Sequence, residues 1–252
     1  MTILVIPDTQ VTPEVCTKHI SAAGRLIAKD RPETVVVIGD WWDFESLSYY
    51  DKGKAVAEGR RLHADLKAGG DAMNLLLAPL KALQKKQKKN RHKVYQPRLI
   101  FCWGNHEERL TRYMNDNPAT EGMFNLKALI KSFGFEFYDF LEIVEVENIM
   151  FSHYFANPLS GRPWGGMINN KIAKIGKSFV QGHVQTLEYG ERYLNNGEHQ
   201  FGLVAGAFYT HDEAYKGAQG NHHFRGLVKL HTSDERTDVE FVSINRLMKE
   251  YK

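Results

Sequence analysis

The sequence predicts an α/β fold built on two sheets. Three observations carry this. Short, near-continuous apolar runs of strand length recur along the chain, among them Ile3-Leu4-Val5-Ile6, Val35-Val36-Val37-Ile38 and Leu99 to Trp103, as expected of strands buried in a parallel sheet. Amphipathic helical stretches separate these runs in the first half of the chain. The second half instead carries one short strand after another, the pattern of a further sheet.

Taken in order, residues 4–6 open the first sheet, residues 17–29 form an amphipathic helix with Ile20, Leu26 and Ile27 apolar, and residues 34–38 return as a second buried strand. Residues 45–83 read as mostly helical, with a charged stretch at 58–67, a break at Gly69-Gly70, and Met73, Leu76, Leu77 and Leu80 at the spacing of a core-facing helix. Residues 84–97 read as a loop or frayed helix end before the strand at Leu99, and more helix is expected between Glu107 and Phe133. Residues 135–138, 142–146 and 149–152 are short strands that start the second sheet, the last two joined by a tight turn at Glu147-Asn148. A Gly/Pro-rich loop at 161–166 holds Arg162 and Trp164, and a short helix at 167–175 ends where Gly176 supplies a C-cap. Strands follow at 179–181, 186–189, 201–205, 226–231 and 239–244, with no repeat, linker or low-complexity segment anywhere.

A chain of 252 residues is long enough to bury a full core and is read as a single domain, residues 1–252. Hydrophobic content of 42% and charged content of 25% are those of a soluble globule, and no segment approaches the ~18 consecutive apolar residues of a membrane span. The first strand starts directly after Met1-Thr2, which leaves no leader and predicts a cytoplasmic protein. Cys16 and Cys102 are too few and too far apart for a disulfide scaffold. A net charge of +3 makes no global case for nucleic acid. Lys81, Lys85, Lys86, Lys88, Lys89, Arg91, His92, Lys93 and Arg98 nevertheless crowd one stretch, either as a solvated helix end or as a guide for a polyanion.

The chemistry concentrates where strands stop. The first run leads into Asp8, the second into Gly39-Asp40, the third into Gly104-Asn105-His106-Glu107, residues 149–151 into His153, and residues 179–180 into Gly182-His183. One Gly-Asp or one His after a strand is ordinary turn chemistry. Five in series, each at a strand end where an α/β sheet gathers its ligands, predict a metal site.

Together Asp8-x-Gln10, Gly39-Asp40-x-x-Asp43, Gly104-Asn105-His106-Glu107, His153 and Gly182-His183-x-Gln185 resemble the five motifs of the calcineurin-like metallophosphoesterases. In that family they run Asp-x-His, Gly-Asp-x-x-Asp, Gly-Asn-His-Asp/Glu, a lone His, and Gly-His-x-His. Order and strand context match over residues 4–185, and the insertion at 45–97 also looks like that of compact members from tailed-phage genomes, which would put the protein in a host cytoplasm. The resemblance implies a β-sandwich of two mixed sheets flanked by helices, with a helical insertion after the second strand. It further implies two divalent ions bridged by Asp40. One ion would take Asn105, His153 and His183, a mixed oxygen and nitrogen set suited to Mn²⁺, Zn²⁺, Fe²⁺ or Ni²⁺. The other would take Asp8, Asp40, Gln10 and Gln185, where glutamines stand in place of both family histidines. Oxygen donors alone favour Mn²⁺ or Mg²⁺ and weaken occupancy, so Mn²⁺ is the expected metal.

By the same resemblance His106 matches the general acid and Asp43 the carboxylate that orients it, while Glu107 supports the ligands and Arg109 and Arg162 are candidates for the substrate phosphate. The implied activity is metal-dependent phosphoester hydrolysis by a metal-bridging hydroxide. A phosphodiester is favoured, nucleic acid included, with a phosphomonoesterase or protein phosphatase as the alternative. A metal-binding interaction module without turnover is the rival of another class: Gln10 with Gln185 motivates it, and the intact pair of Asp43 and His106 opposes it. The sequence does not reveal oligomeric state.

Overall fold

Two sheets face each other across a shared apolar layer in the computed structural model, which describes residues 1–213 and 216–252. The first sheet places β1 (Thr2–Ile6), β2 (Thr34–Val37), β3 (Arg98–Cys102) and β4 (Glu136–Tyr138) side by side and parallel. β10 (Gly226–Thr232) then adds antiparallel to β1, Thr2 opposite His231 and Val5 opposite Val228, and β11 (Thr237–Ser243) closes that edge. The second sheet runs β5 (Val144–Val146), β6 (Ile149–Phe151), β7 (Phe179–Gln181), β9 (His199–Ala205) and β8 (Leu187–Tyr193), its three central strands parallel.

Side chains alternate across a strand, so one apolar run serves two layers. Ile3, Val5, Val36, Ile38 and Ile100 point inward and meet Phe151, Val180 and Leu203 of the second sheet. Leu4, Ile6, Val35, Val37 and Phe101 point outward beneath two helices, α1 (Lys18–Asp30) and α2 (Leu62–Lys89). On the far face of the second sheet, α5 (Ile168–Ile175) packs Ile172 against Phe155 and Phe179 and ends at Gly176, whose left-handed conformation lets its N–H donate to the Ile172 carbonyl. The result is the expected sandwich of two mixed sheets flanked by helices. Among the described residues, no helix is long and apolar enough to cross a membrane.

Several local expectations change. Residues 136–138 were to start the second sheet. They instead pair with β3, Phe101 opposite Phe137, because α3 (Glu107–Asp116) and α4 (Leu126–Ser132) form a crossover that returns the chain to the first sheet. The two last strands likewise rejoin the first sheet, where Val228 and Leu230 extend its inner apolar face. Residue 244 starts a helix rather than ending a strand: α6 (Ile244–Glu250) is capped by the Ser243 hydroxyl, which accepts the Arg246 N–H.

Helix α2 runs without a break through Gly69-Gly70 and on to Lys89, past the expected loop start at residue 84. Tertiary packing overrides the weak helix propensity of glycine here. The Gly69 carbonyl accepts the Trp41 indole N–H at 3.0 Å, and a Cβ on Gly69 would lie 1.8 Å from Trp42 Nε1, so the fully buried Trp42 ring occupies the space of a side chain at that position. The basic residues from Lys81 to Lys89 sit on the exposed C-terminal part of this helix. The segment beyond it is tied to the N-terminal ends of β2 and β3, where the Tyr95 hydroxyl donates to Pro32 O and Arg98 N–H to Glu33 O. Leu66, which meets Trp42, lies ~35 Å along the helix axis from Lys89 at 1.5 Å rise per residue.

The two neighbouring glycines should respond to alanine with opposite signs. Gly69→Ala forces a methyl into Trp42 and should destabilise the protein by about 1–3 kcal/mol. Nothing lies within 4 Å of a Cβ on Gly70, and Gly70→Ala should stabilise by about 0.5–1 kcal/mol through helix propensity. Urea unfolding of both variants checks this.

Candidate metal centre

The strand-end residues meet at one end of the sandwich. Asp8 follows β1, Asp40 follows β2 and Asn105 follows β3 in one sheet, while His153 follows β6 and His183 follows β7 in the other. All five strands run in the same sense within their sheets, so their carboxyl ends share an edge. A hydrogen bond from His153 Nδ1 to Ile38 O at 2.9 Å joins the two sheets there.

Close approach demands the small residues of the motifs. A Cβ on Gly104 would lie 2.2 Å from Asp40 Oδ1, and one on Gly182 would lie 2.3 Å from Asp8 Oδ1. The backbone bends sharply at the same places: Gln10, Asp40, His183 and Gln185 all adopt positive φ, between 45° and 69°. A left-handed conformation in a residue with a side chain is strained and needs outside support. Glu107 supplies part of it. Fully buried, its carboxylate accepts the N–H groups of Asp40, Gly104 and Trp42, each at 2.9 Å.

Four donors converge. Ligand atoms of Asp40, His153 and His183 lie within 4.8 Å of one another. Asn105 Oδ1 sits among them, 2.8 Å from His153 Nε2 and 2.7 Å from His183 Nδ1, and His153 Nε2 is 3.4 Å from Asp40 Oδ2. A carboxylate, an amide oxygen and two imidazoles are a donor set that suits a divalent transition ion. The bond to Ile38 O fixes the His153 ring with Nε2 facing this point, the orienting role such outer contacts play in metal sites. Asp8 adjoins the group, its Oδ1 accepting the His183 N–H at 3.1 Å. Its Oδ2 and the Gln10 Oε1 are buried without a hydrogen-bond partner.

His106 stands beside this cluster. Its Nδ1 is 2.5 Å from Asp43 Oδ1 and its Nε2 3.8 Å from Asp40 Oδ2. Arg109, one turn along α3, donates from Nη1 to the Asp43 carbonyl at 2.9 Å and brings Nη2 to 3.1 Å from His106 Nε2. A cavity of about 690 Å³ opens onto Gln10, Asn105, His106 and Arg109, with Glu45 and Tyr50 in its wall. Arg162 is exposed on a separate loop and does not line this cavity.

These charged groups act on one another. Burial pushes the Asp8 carboxyl up to about 7, and the Asp40 charge adds to this. Burial opposes ionisation of Asp40 too, yet the imidazoles of His106 and His153 outweigh it and hold Asp40 well below the usual carboxylate range. Burial likewise works against a charged His153, but Asp40 wins and raises it to about 9. His183, with burial and the His153 charge both against it, falls to about 4. Against burial, Asp40 and Asp43 raise His106.

Tyr154, Tyr209 and Lys216 were not foreseen as neighbours of the site. The Tyr154 ring lies 4.8 Å from that of His183, and it directly follows His153 in sequence. Tyr209 and Lys216 both donate to Gln185 Oε1, from a segment with no motif to mark it.

A family model for calcineurin-like phosphoesterases matches residues 1–207. No curated protein matches the chain. One solved crystal structure is similar over 96% of this chain and 99% of its own, at 11% identity and a TM-score of 0.36, a likeness too distant to carry an argument.

Because His153 Nε2 faces two oxygens, it carries a proton in the metal-free protein that an entering cation must displace. Apparent Mn²⁺ affinity should therefore rise as pH increases toward about 9, by about tenfold per unit while one proton is released. Calorimetric titrations at pH 7.5 in buffers of different ionisation heat should count about one proton released with the first, tightly bound ion. A count of zero would contradict this protonation scheme.

Proposed function

This chain belongs to the calcineurin-like phosphoesterase family and is a metal-dependent phosphoester hydrolase. We propose that its substrate is a phosphodiester of low charge and that His106 donates the proton to the leaving oxygen.

Asp40, Asn105, His153 and His183 would hold the principal ion, and Asp8, Gln10 and Gln185 would face a second position that shares Asp40. Divalent cations bound there neutralise charge on a phosphoryl group and make water a better nucleophile. Mn²⁺ suits this donor set.

The observation that carries the reading is the clamp on His106. Nδ1 lies against the Asp43 carboxylate, which leaves Nε2 beside the metal cluster and the cavity. The carboxylate stabilises the imidazolium, so His106 holds a proton near neutral pH and can hand it to an alkoxide. A binding module has no need of such a pair. Arg109 is anchored on the Asp43 carbonyl, and its Nη2, which faces His106 Nε2 at 3.1 Å, would turn to a non-bridging phosphate oxygen and so free Nε2 to carry the proton.

The cavity wall supports a substrate of low charge. Asp43, Glu45, Asp51, Asp212 and Glu213 outnumber Lys54, Arg60, Arg109 and the protonated His106 by one, although Arg60 pairs with Glu45 and Asp51 and Arg225 with Asp212. With metal ions and a protonated His106 at its floor the cavity would attract a phosphoryl group, while its carboxylate rim disfavours a long polyanion reaching beyond the site more than a small, singly charged diester. The basic end of α2 does not offset this, since it lies toward the opposite ends of the strands. Polynucleotide is accordingly the less favoured substrate.

Hydrolysis of an alkyl diester, an alkyl monoester and DNA in Mn²⁺ buffer tests the reading. The alkyl diester should turn over fastest and chelator should abolish the reaction. His106→Ala should lower alkyl diester turnover by about 10²–10⁴-fold with metal content unchanged. A loss below about tenfold would reject His106 as the acid. Fastest turnover of DNA or the monoester would reject the substrate assignment, and no turnover of any ester by metal-loaded protein would favour the binding module.

A further inference from the structure

The second metal position differs in one respect from the first. Gln185 stands where the family pattern has a histidine, and its only metal-type donor is the amide oxygen, because the amide nitrogen has no lone pair to give. That oxygen has two lone pairs. The Lys216 ammonium donates to it, and the Tyr209 hydroxyl donates to it at 3.0 Å. Lys216 also donates to the Tyr209 oxygen at 3.0 Å, which closes a triangle of Lys216, Tyr209 and Gln185. The donor expected for a second ion is thus already spent on an ammonium and a hydroxyl.

The surroundings hold Lys216 there. Its Nζ lies 5.7 Å from the centre of the Tyr209 ring. Tyr209 is buried, backed by His223 Nε2 at 3.3 Å from its hydroxyl. On the other side, buried Asp8 and Gln10 each keep one oxygen without a hydrogen-bond partner, so the position still favours positive charge. A fixed ammonium on the adjacent ligand supplies part of that charge.

We infer that Lys216 provides a resident cation at the second metal position, so that the protein holds one divalent ion tightly and a second only weakly. This rests on the metal site proposed above and assigns its asymmetry to one side chain. It also gives the glutamine at position 185 a meaning. Where imidazole would compete for a divalent ion, an amide oxygen accepts the lysine instead.

Mn²⁺ binding, counted by calorimetry and by the electron paramagnetic resonance of free and bound ion, tests the proposal without reference to activity. Wild-type protein should bind one ion tightly and a second much more weakly. Lys216→Met removes the charge and keeps the stem, and should tighten the second ion by at least about tenfold, since a unit charge facing a divalent ion a few ångströms away is strongly repulsive even when well screened. Lys216→Arg keeps the charge and should leave the second affinity near the wild-type value. The proposal fails if wild-type protein binds two ions with equal affinity, if Lys216→Met leaves the second affinity unchanged, or if Lys216→Arg tightens it as Lys216→Met does. Failure of the metal site itself reads differently, as no tightly bound ion in any of the three proteins, and it would overturn both inferences.

Discussion

A carboxylate shut away from water, that of Glu107, holds the loop after β2 against the loop after β3 by accepting three backbone N–H groups. Burial, and then the Asp40 charge, push its carboxyl up to about 7, while the Trp42 N–H pulls the other way. Hydrogen bonds to an ionised acceptor are worth about 1.5–3 kcal/mol each, and an orphaned partner costs about 1–3 kcal/mol. The Asp40 backbone depends on this support. Held at a φ of 51°, it presents Oδ1 to the His106 N–H at 2.9 Å and Oδ2 to His153. Asn105 lies between the tethered Gly104 and Glu107 itself and is carried to the metal cluster with them. A single helix-start glutamate therefore fixes the backbone that presents Asp40 and Asn105.

The second constraint is the alignment of the two sheets. Neither sheet alone has a full donor set: the first brings a carboxylate and an amide, the second brings two imidazoles. The apolar layer of Ile3, Val5, Val36, Ile38, Phe151 and Val180 sets their spacing, and His153 Nδ1 on Ile38 O sets their register at the edge. Core packing tolerates little change in volume, so a substitution in that layer shifts the imidazoles relative to the carboxylate. Fold and chemistry are linked here through distance rather than through a shared residue.

Much of this was legible because strand ends are marked twice, by the apolar run that precedes them and by the ligand that follows. Asp8, Asp40, Asn105, His106, His153 and His183 come together as their positions suggested, and Asp43 meets His106 directly. Other features lacked a local signal. Nothing near Gly69-Gly70 tells that Trp42, distant in sequence, fills the space beside the helix. Strand periodicity reveals a strand but not its sheet, so β4, β10 and β11 were misplaced. Lys216 approaches Gln185 from a separate segment of chain, a contact that spacing does not encode. Charge density in sequence was misleading in the opposite sense: the lysines at the end of α2 are contiguous along the chain yet remote from the cluster.

Glu107 organises the donor cluster by holding backbone rather than by ligation. Glu107→Gln keeps the shape and replaces one acceptor oxygen by a donor that faces a backbone N–H. The metal content of this variant, measured by elemental analysis after gel filtration in Mn²⁺-free buffer, should fall well below that of wild-type protein while far-ultraviolet circular dichroism still reports a folded chain. Wild-type metal content in the folded variant would contradict the account.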